Sequence, residues 1–178
     1  AIEEAVRCLE AGAKGIGELH PDTQGIDITT LDTLTPLMDV ALKYDVPIII
    51  HSSEPVGHAY QGKGETTPDK LYSFVRNFPR NTIVCAHWGG GLPFYSLMPE
   101  VAESLENVYF DTAASPFLYK SKIFSSLTEI LGSQKILFAT DHPLINQDRL
   151  LQEVEQSTLS DQEKEAILFK NARKILKL

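Results

Sequence analysis

With 178 residues, 43% of them apolar, the chain is long enough to bury the core of one ordinary domain, spanning 1–178. Its 24 acidic residues against 16 basic ones give a formal net charge of -8, which counts against a nucleic-acid footprint, since that needs a basic face. The longest apolar segment, Val46–Ile50, is too short to cross a membrane, and two cysteines make no disulfide framework, so a reducing cytoplasm is expected.

Two periodicities alternate along the chain. Ile2, Val6, Leu9 and Ala13 keep helical spacing, and Gly15–Leu19 then reads as a strand ending in Glu18 and His20. Leu34, Leu37, Met38, Ala41 and Leu42 form the stripe of the next helix, in which Pro36 is tolerable only in the first turn. Val46–Ile50 is a strand leading into His51. The long irregular stretch His51–Thr67, with Gly57, Gly62 and Gly64, is expected to be a mobile loop over the rim, of the kind that serves binding; a solvated loop is the first reading of Glu54, His58 and Lys63, and placement over a substrate the second. Thr67-Pro68 is an N-cap with a first-turn proline, opening the helix of Leu71, Phe74 and Val75.

In the second half, Thr82–Ala86 is a strand before His87, and Leu92–Leu105 reads as helix divided by Pro99. Asn107–Phe110 is a strand before Asp111, and Phe124, Leu127, Ile130 and Leu131 mark a helix ended by Gly132. Lys135–Thr140 is the last strand, before Asp141. Ser160 and Glu163 fit a capping box for the helix through Ala166–Phe169, which Asn171–Leu178 continues or closes.

Strands that are apolar throughout are buried on both faces, as in parallel sheets, and helices between them bring their carboxyl ends to one rim. Glu18, His51, His87, Asp111 and Asp141 all fall at such ends, a constellation for metal binding or acid–base chemistry. No dinucleotide fingerprint follows a strand: Gly15-Ile16-Gly17 lies within one, and Gly89-Gly90-Gly91 has the wrong spacing. Polar residues at every strand end favour an α/β fold of the (β/α)8 TIM-barrel type over a sheet with one switch point. Five strands are present where a closed barrel has eight, so the chain reads as the C-terminal five strands, 4 to 8, with their helices.

Val46-Pro47-Ile48-Ile49-Ile50-His51, Ile83-Val84-Cys85-Ala86-His87 and Phe138-Ala139-Thr140-Asp141-His142-Pro143 resemble strands five, six and eight of the amidohydrolase superfamily. Val108-Tyr109-Phe110-Asp111-Thr112 is similar to strand seven of its branch related to aminocarboxymuconate-semialdehyde decarboxylase, and Asn171-Ala172-Arg173-Lys174-Ile175-Leu176 to the closing helix. The resemblance implies a divalent metal, zinc first and manganese second, with His51 as a ligand. It implies Asp141 as a ligand that also takes a proton from water, and His87 as general base or ligand to a second metal. Gly17-Glu18-Leu19 resembles a fourth-strand Gly-Glu in metal-dependent relatives that include TatD-like nucleases, where the Glu bridges metals; a structural hydrogen bond is its other reading. His58 and Asp111 are candidates for substrate contact, Asp111 also for supporting hydrogen bonds. No His-x-His, the pair supplied by the superfamily's first strand, occurs in the chain.

The resemblance thus implies first a metal-dependent hydrolase of amides, esters or lactones. A metal-dependent decarboxylase, a TatD-like nuclease and a non-catalytic fragment or binding module stand as alternatives. The expected partners are a small-molecule substrate and, through open sheet edges, a second copy of the chain, with neither nucleic acid nor membrane.

Overall fold

The computed structural model describes residues 1–178 and forms an α/β fold with one five-stranded parallel sheet. The strands are β1 (Ile16–Leu19), β2 (Ile48–Ile50), β3 (Ile83–Cys85), β4 (Val108–Asp111) and β5 (Ile136–Leu137), adjacent in that sequence order. Sequential parallel order with helical crossovers describes an arc of a (β/α)8 barrel, whereas a doubly wound sheet reverses direction at a switch point. No helix is long and apolar enough to cross a membrane.

The register aligns one residue per strand across the sheet: Leu19 with Ile50, Ile50 with Cys85, Cys85 with Phe110, and Phe110 with Ile136. All five are buried. Helices Leu31–Tyr44 and Pro68–Asn77 press Leu34, Leu37, Met38, Leu71, Phe74 and Val75 onto this side of the sheet. A second core forms where Trp88, Phe124, Leu127, Leu150, Val154 and Ile167 pack around Ile136. Each large apolar side chain so enclosed contributes about 1.5–3 kcal/mol relative to exposure. The aligned row is the floor beneath the rim, and His51, His87 and Asp111 follow it within one or two residues.

Two local expectations are corrected. The helix bearing Pro36 begins at Leu31, so the proline is its sixth residue and lies past the first turn. Proline there removes one N–H from the ladder, while Thr35 Oγ1 bonds the Leu31 carbonyl at 2.7 Å. The last strand is two residues long, because β4 ends at Asp111 and leaves no ladder for Phe138–Thr140. Thr112 takes over with its side chain: its Oγ1 donates to the Ala139 carbonyl at 2.8 Å and accepts the Ala139 N–H at 2.9 Å. Phe138 N–H turns instead to the Ile167 carbonyl, within a π turn at Ala166–Lys170.

Other expected features are present. Leu92–Leu97 is a 3-10 helix separated from the helix Pro99–Ser104 at Pro99, and helix Ile123–Leu131 ends on Gly132. Ser160 and Glu163 form a reciprocal capping box.

Candidate metal centre

Glu18 on β1 and His51 immediately after β2 meet side by side, with His51 Nδ1 3.0 Å from Glu18 Oε1. His87 comes from the turn after β3, where His87 and Trp88 hold left-handed backbone at φ 54° and 56°. That turn is fixed from β4: the Asp111 carboxylate accepts the His87 backbone N–H at 2.9 Å. His87 Nδ1 faces the Ala113 carbonyl at 3.4 Å, which directs Nε2 towards Glu18 Oε1 at 3.7 Å, an ion-pair separation. The His51 and His87 rings meet edge to face at 4.9 Å. One ligand atom each from Glu18, His51 and His87 lies within 4.8 Å of the others.

The charges are arranged to hold one another. Burial pushes the Glu18 carboxyl up, but the His51 and His87 imidazoles outweigh it and hold it at about 2. Burial pulls His87 down, yet Glu18, Asp111 and Asp141 raise it to about 9. Asp111, wholly enclosed, is pushed by burial up to about 6, against the pull of His87 and two backbone N–H groups. Two imidazoles and a carboxylate are a donor set suited to zinc or manganese. Ligand atoms on one ion with bonds of about 2.1 Å stand roughly 3–3.5 Å apart, so the Glu18–His51 spacing fits as it stands and His87 lies close to fitting.

These groups line a cavity of about 540 Å³. Its polar side carries Glu18, His20, His51, His58, His87 and Asp141, and Phe117, Leu118 and Leu144 give it an apolar wall. Asp141 stands exposed on this cavity, at the start of a turn in left-handed backbone, outside the compact group of three. His58 is exposed on the loop, with its ring 5.4 Å from that of Tyr60. Asp111 is buried beneath the site, bonded to backbone, and does not line the cavity.

Sequence reasoning assigned no role to His20, whose ring stacks on His51 at 4.1 Å and 12°. The signal was present: His20 is two residues after Glu18 at a strand end, and alternation puts both on one face.

A family model described as amidohydrolase matches residues 1–178. No match to a curated protein reaches significance. Among solved structures, a Staphylococcus aureus protein described as an amidohydrolase superposes with a TM-score of 0.77 at 24% identity, over 100% of this chain and 69% of its own. The 5-carboxyvanillate decarboxylase of Sphingomonas paucimobilis gives a TM-score of 0.77 at 16% identity, over 100% of this chain and 63% of its own. The 5-carboxyvanillate decarboxylase of Novosphingobium aromaticivorans, complexed with manganese and 4-hydroxy-3-methoxy-5-nitrobenzoic acid, gives 0.76 at 19% identity, over 99% of this chain and 60% of its own.

Proposed function

The chain belongs to the amidohydrolase family, and from that premise we propose that it carries the metal site of an enzyme that decarboxylates small aromatic carboxylates. The observation that carries this is the convergence of Glu18 Oε1, His51 Nδ1 and His87 Nε2 beneath a cavity with an apolar wall. Those three atoms would hold a divalent cation, manganese or zinc. Such an ion, when bound, supplies a Lewis acid for substrate oxygens. No lysine or arginine lines the cavity, so a cation held by this group would supply the positive charge that an anionic substrate needs. Phe117, Leu118 and Leu144 offer an aromatic ring a wall to lie against, and orientation on that wall fixes the carboxylate towards the donor set.

Asp141 is the proton carrier of the proposal, since it faces the cavity and is open to solvent, the source of the proton it delivers. The bond to the carboxylate carbon breaks, its electron pair stays on the ring carbon, and the Asp141 proton joins that carbon as carbon dioxide leaves. Family relatives of solved structure that are decarboxylases, one of them holding manganese and a substituted benzoic acid, support this choice of reaction and cation.

Hydrolysis of an amide, ester or lactone is the second reading, favoured by Asp141 in its other role as acceptor of a proton from water. The two are separated by assaying manganese- and zinc-loaded protein against hydroxybenzoates, for carbon dioxide release, and against lactones and aryl esters, for acid release. Carbon dioxide release that is lost in Asp141→Asn supports the decarboxylase. Acid release alone would replace it with the hydrolase.

A further inference from the structure

The long loop after β2 returns across the rim, and its distal limb, Gly62–Thr66, is fastened beside His51 from two directions. The Lys63 carbonyl lies 3.0 Å from His51 Nε2, and Ser53 Oγ donates to the same carbonyl. One residue earlier, the Gly62 carbonyl lies 3.2 Å from His20 Nε2. His20 Nδ1 accepts the Thr23 N–H at 3.5 Å, which leaves the His20 proton on Nε2 to be donated to Gly62. The two stacked imidazoles therefore address two successive carbonyls of the loop.

Asp22, two residues beyond His20, completes the fastening. Its Oδ2 accepts the Glu65 N–H at 2.7 Å and the Thr66 hydroxyl at 3.2 Å. Between these contacts Gly64 runs in left-handed backbone at φ 67°, where a Cβ would lie 2.4 Å from Asp22 Oδ2 and 3.3 Å from His20 Cε1. Only glycine lets the limb lie this close to the corner. Lys63 Nζ ties the same limb to the other side of the loop, donating to the Val56 carbonyl at 2.9 Å and the His58 carbonyl at 3.2 Å.

We propose that the Gly62–Thr66 limb is a positioning element of the metal centre, in which the Lys63 carbonyl fixes the His51 ring and His20 and Asp22 hold that carbonyl in place. A ligating imidazole needs a lone pair on the nitrogen that faces the ion. An acceptor at its other nitrogen fixes that tautomer, sets the ring plane and raises ligand basicity. Here Nδ1 faces Glu18 and Nε2 faces Lys63, both acceptors; with a cation held beside Glu18, the carbonyl would keep the one ring proton on Nε2 and leave the Nδ1 lone pair pointing into the donor set. His20 and Asp22 are positioning residues that stand outside the three-ligand group. The inference rests on the proposed metal site and adds to it the means by which one ligand is oriented.

The test is manganese titration, followed by electron paramagnetic resonance, of the native chain, His20→Phe and Gly64→Ala. His20→Phe keeps the ring stack and loses the bond to Gly62; Gly64→Ala disturbs the limb directly. Nitrogen-15 spectra of the His51 imidazole and hydrogen exchange of the Glu65 amide are recorded on the same proteins loaded with diamagnetic zinc. The expected result is a manganese affinity about tenfold weaker in both variants, a His51 ring no longer held in one tautomer, and faster Glu65 exchange. If Gly64→Ala does not fold, His20→Phe alone decides. Native protein that binds manganese together with variants that match it within about twofold, and with His51 unchanged, would overturn the positioning role and leave the metal site standing. Native protein that binds no manganese would overturn both.

Discussion

Asp111 Oδ1 accepts the backbone N–H of His87 at 2.9 Å and so holds the left-handed turn from which the His87 ring reaches Glu18. The same oxygen accepts the Ala113 N–H at 3.0 Å, so one buried carboxylate organises the ends of two neighbouring strands. Asp111→Ala leaves two enclosed donors without a partner and is expected to cost about 2–4 kcal/mol in urea unfolding, with Asp111→Asn milder because its amide oxygen still accepts. Equal stability of native and Asp111→Ala would show that the carboxylate does not hold the turn.

Stability of the metal-free protein depends on pH through the same charges. His87 is raised to about 9 in the fold, so its contribution is fully present below its ordinary value of 6.5 and is lost as pH rises through 9. Glu18 is lowered to about 2, so its contribution is present above 4.5 and is lost as pH falls through 2. Asp111 acts on the acid side in the opposite sense: raised to about 6, it favours the fold below 3.8, and that share is lost as pH rises through 6. The gap in urea midpoint between native protein and His87→Gln should narrow from pH 6.5 to 9, and the gap to Glu18→Gln should narrow from pH 4.5 to 2. Gaps that stay constant across both windows would contradict these assignments.

Gly90 brings the turn after His87 against the loop after His51. It has φ 58°, and a Cβ there would lie 2.3 Å from the Ser53 carbonyl oxygen and 2.7 Å from its carbon. Backbone atoms cannot yield as a flexible side chain would, so Gly90→Ala is expected to destabilise by about 2–4 kcal/mol and to displace Ser53 from Thr66. Thermal unfolding and exchange of the Ser53 amide, which donates to the Thr66 carbonyl at 2.9 Å, check this together.

Much of this arrangement is legible from residues alone, for identifiable reasons. Ile48–Ile50 and Ile83–Cys85 are apolar without alternation, which announces burial on both faces, and each is followed by the histidine that the rim uses. The order of the strands follows from their parallel pairing. What stayed hidden depends on through-space events. Thr112 replaces a strand ladder with its side chain, which shortens β5, and no local pattern foretells that exchange. Asp111 sits at a strand end like a site residue, yet it faces backbone donors rather than the cavity. The Lys63 carbonyl, a backbone atom in a loop of mixed polarity, carries no sequence signal, although His20 beside it does.

Asp141 shares the cavity with the three-residue donor group without being part of it. Asp141→Asn removes the proton and keeps the size, so catalysis is expected to fall by about 100-fold or more while manganese affinity falls far less than in His51→Ala. Turnover and manganese binding measured on the same preparation separate the two effects. Metal loss equal to that of His51→Ala would make Asp141 a ligand instead.

Glu18, His51 and His87 would together hold one divalent cation. Elemental analysis of the purified chain, equilibrated with manganese or zinc and freed of unbound ion, tests this directly when native protein is compared with Glu18→Gln, His51→Ala and His87→Ala. About one ion per chain in the native protein, and a loss of most of it in each variant, is the predicted result. An absence of bound metal in the native chain, or full retention in all three variants, would contradict it.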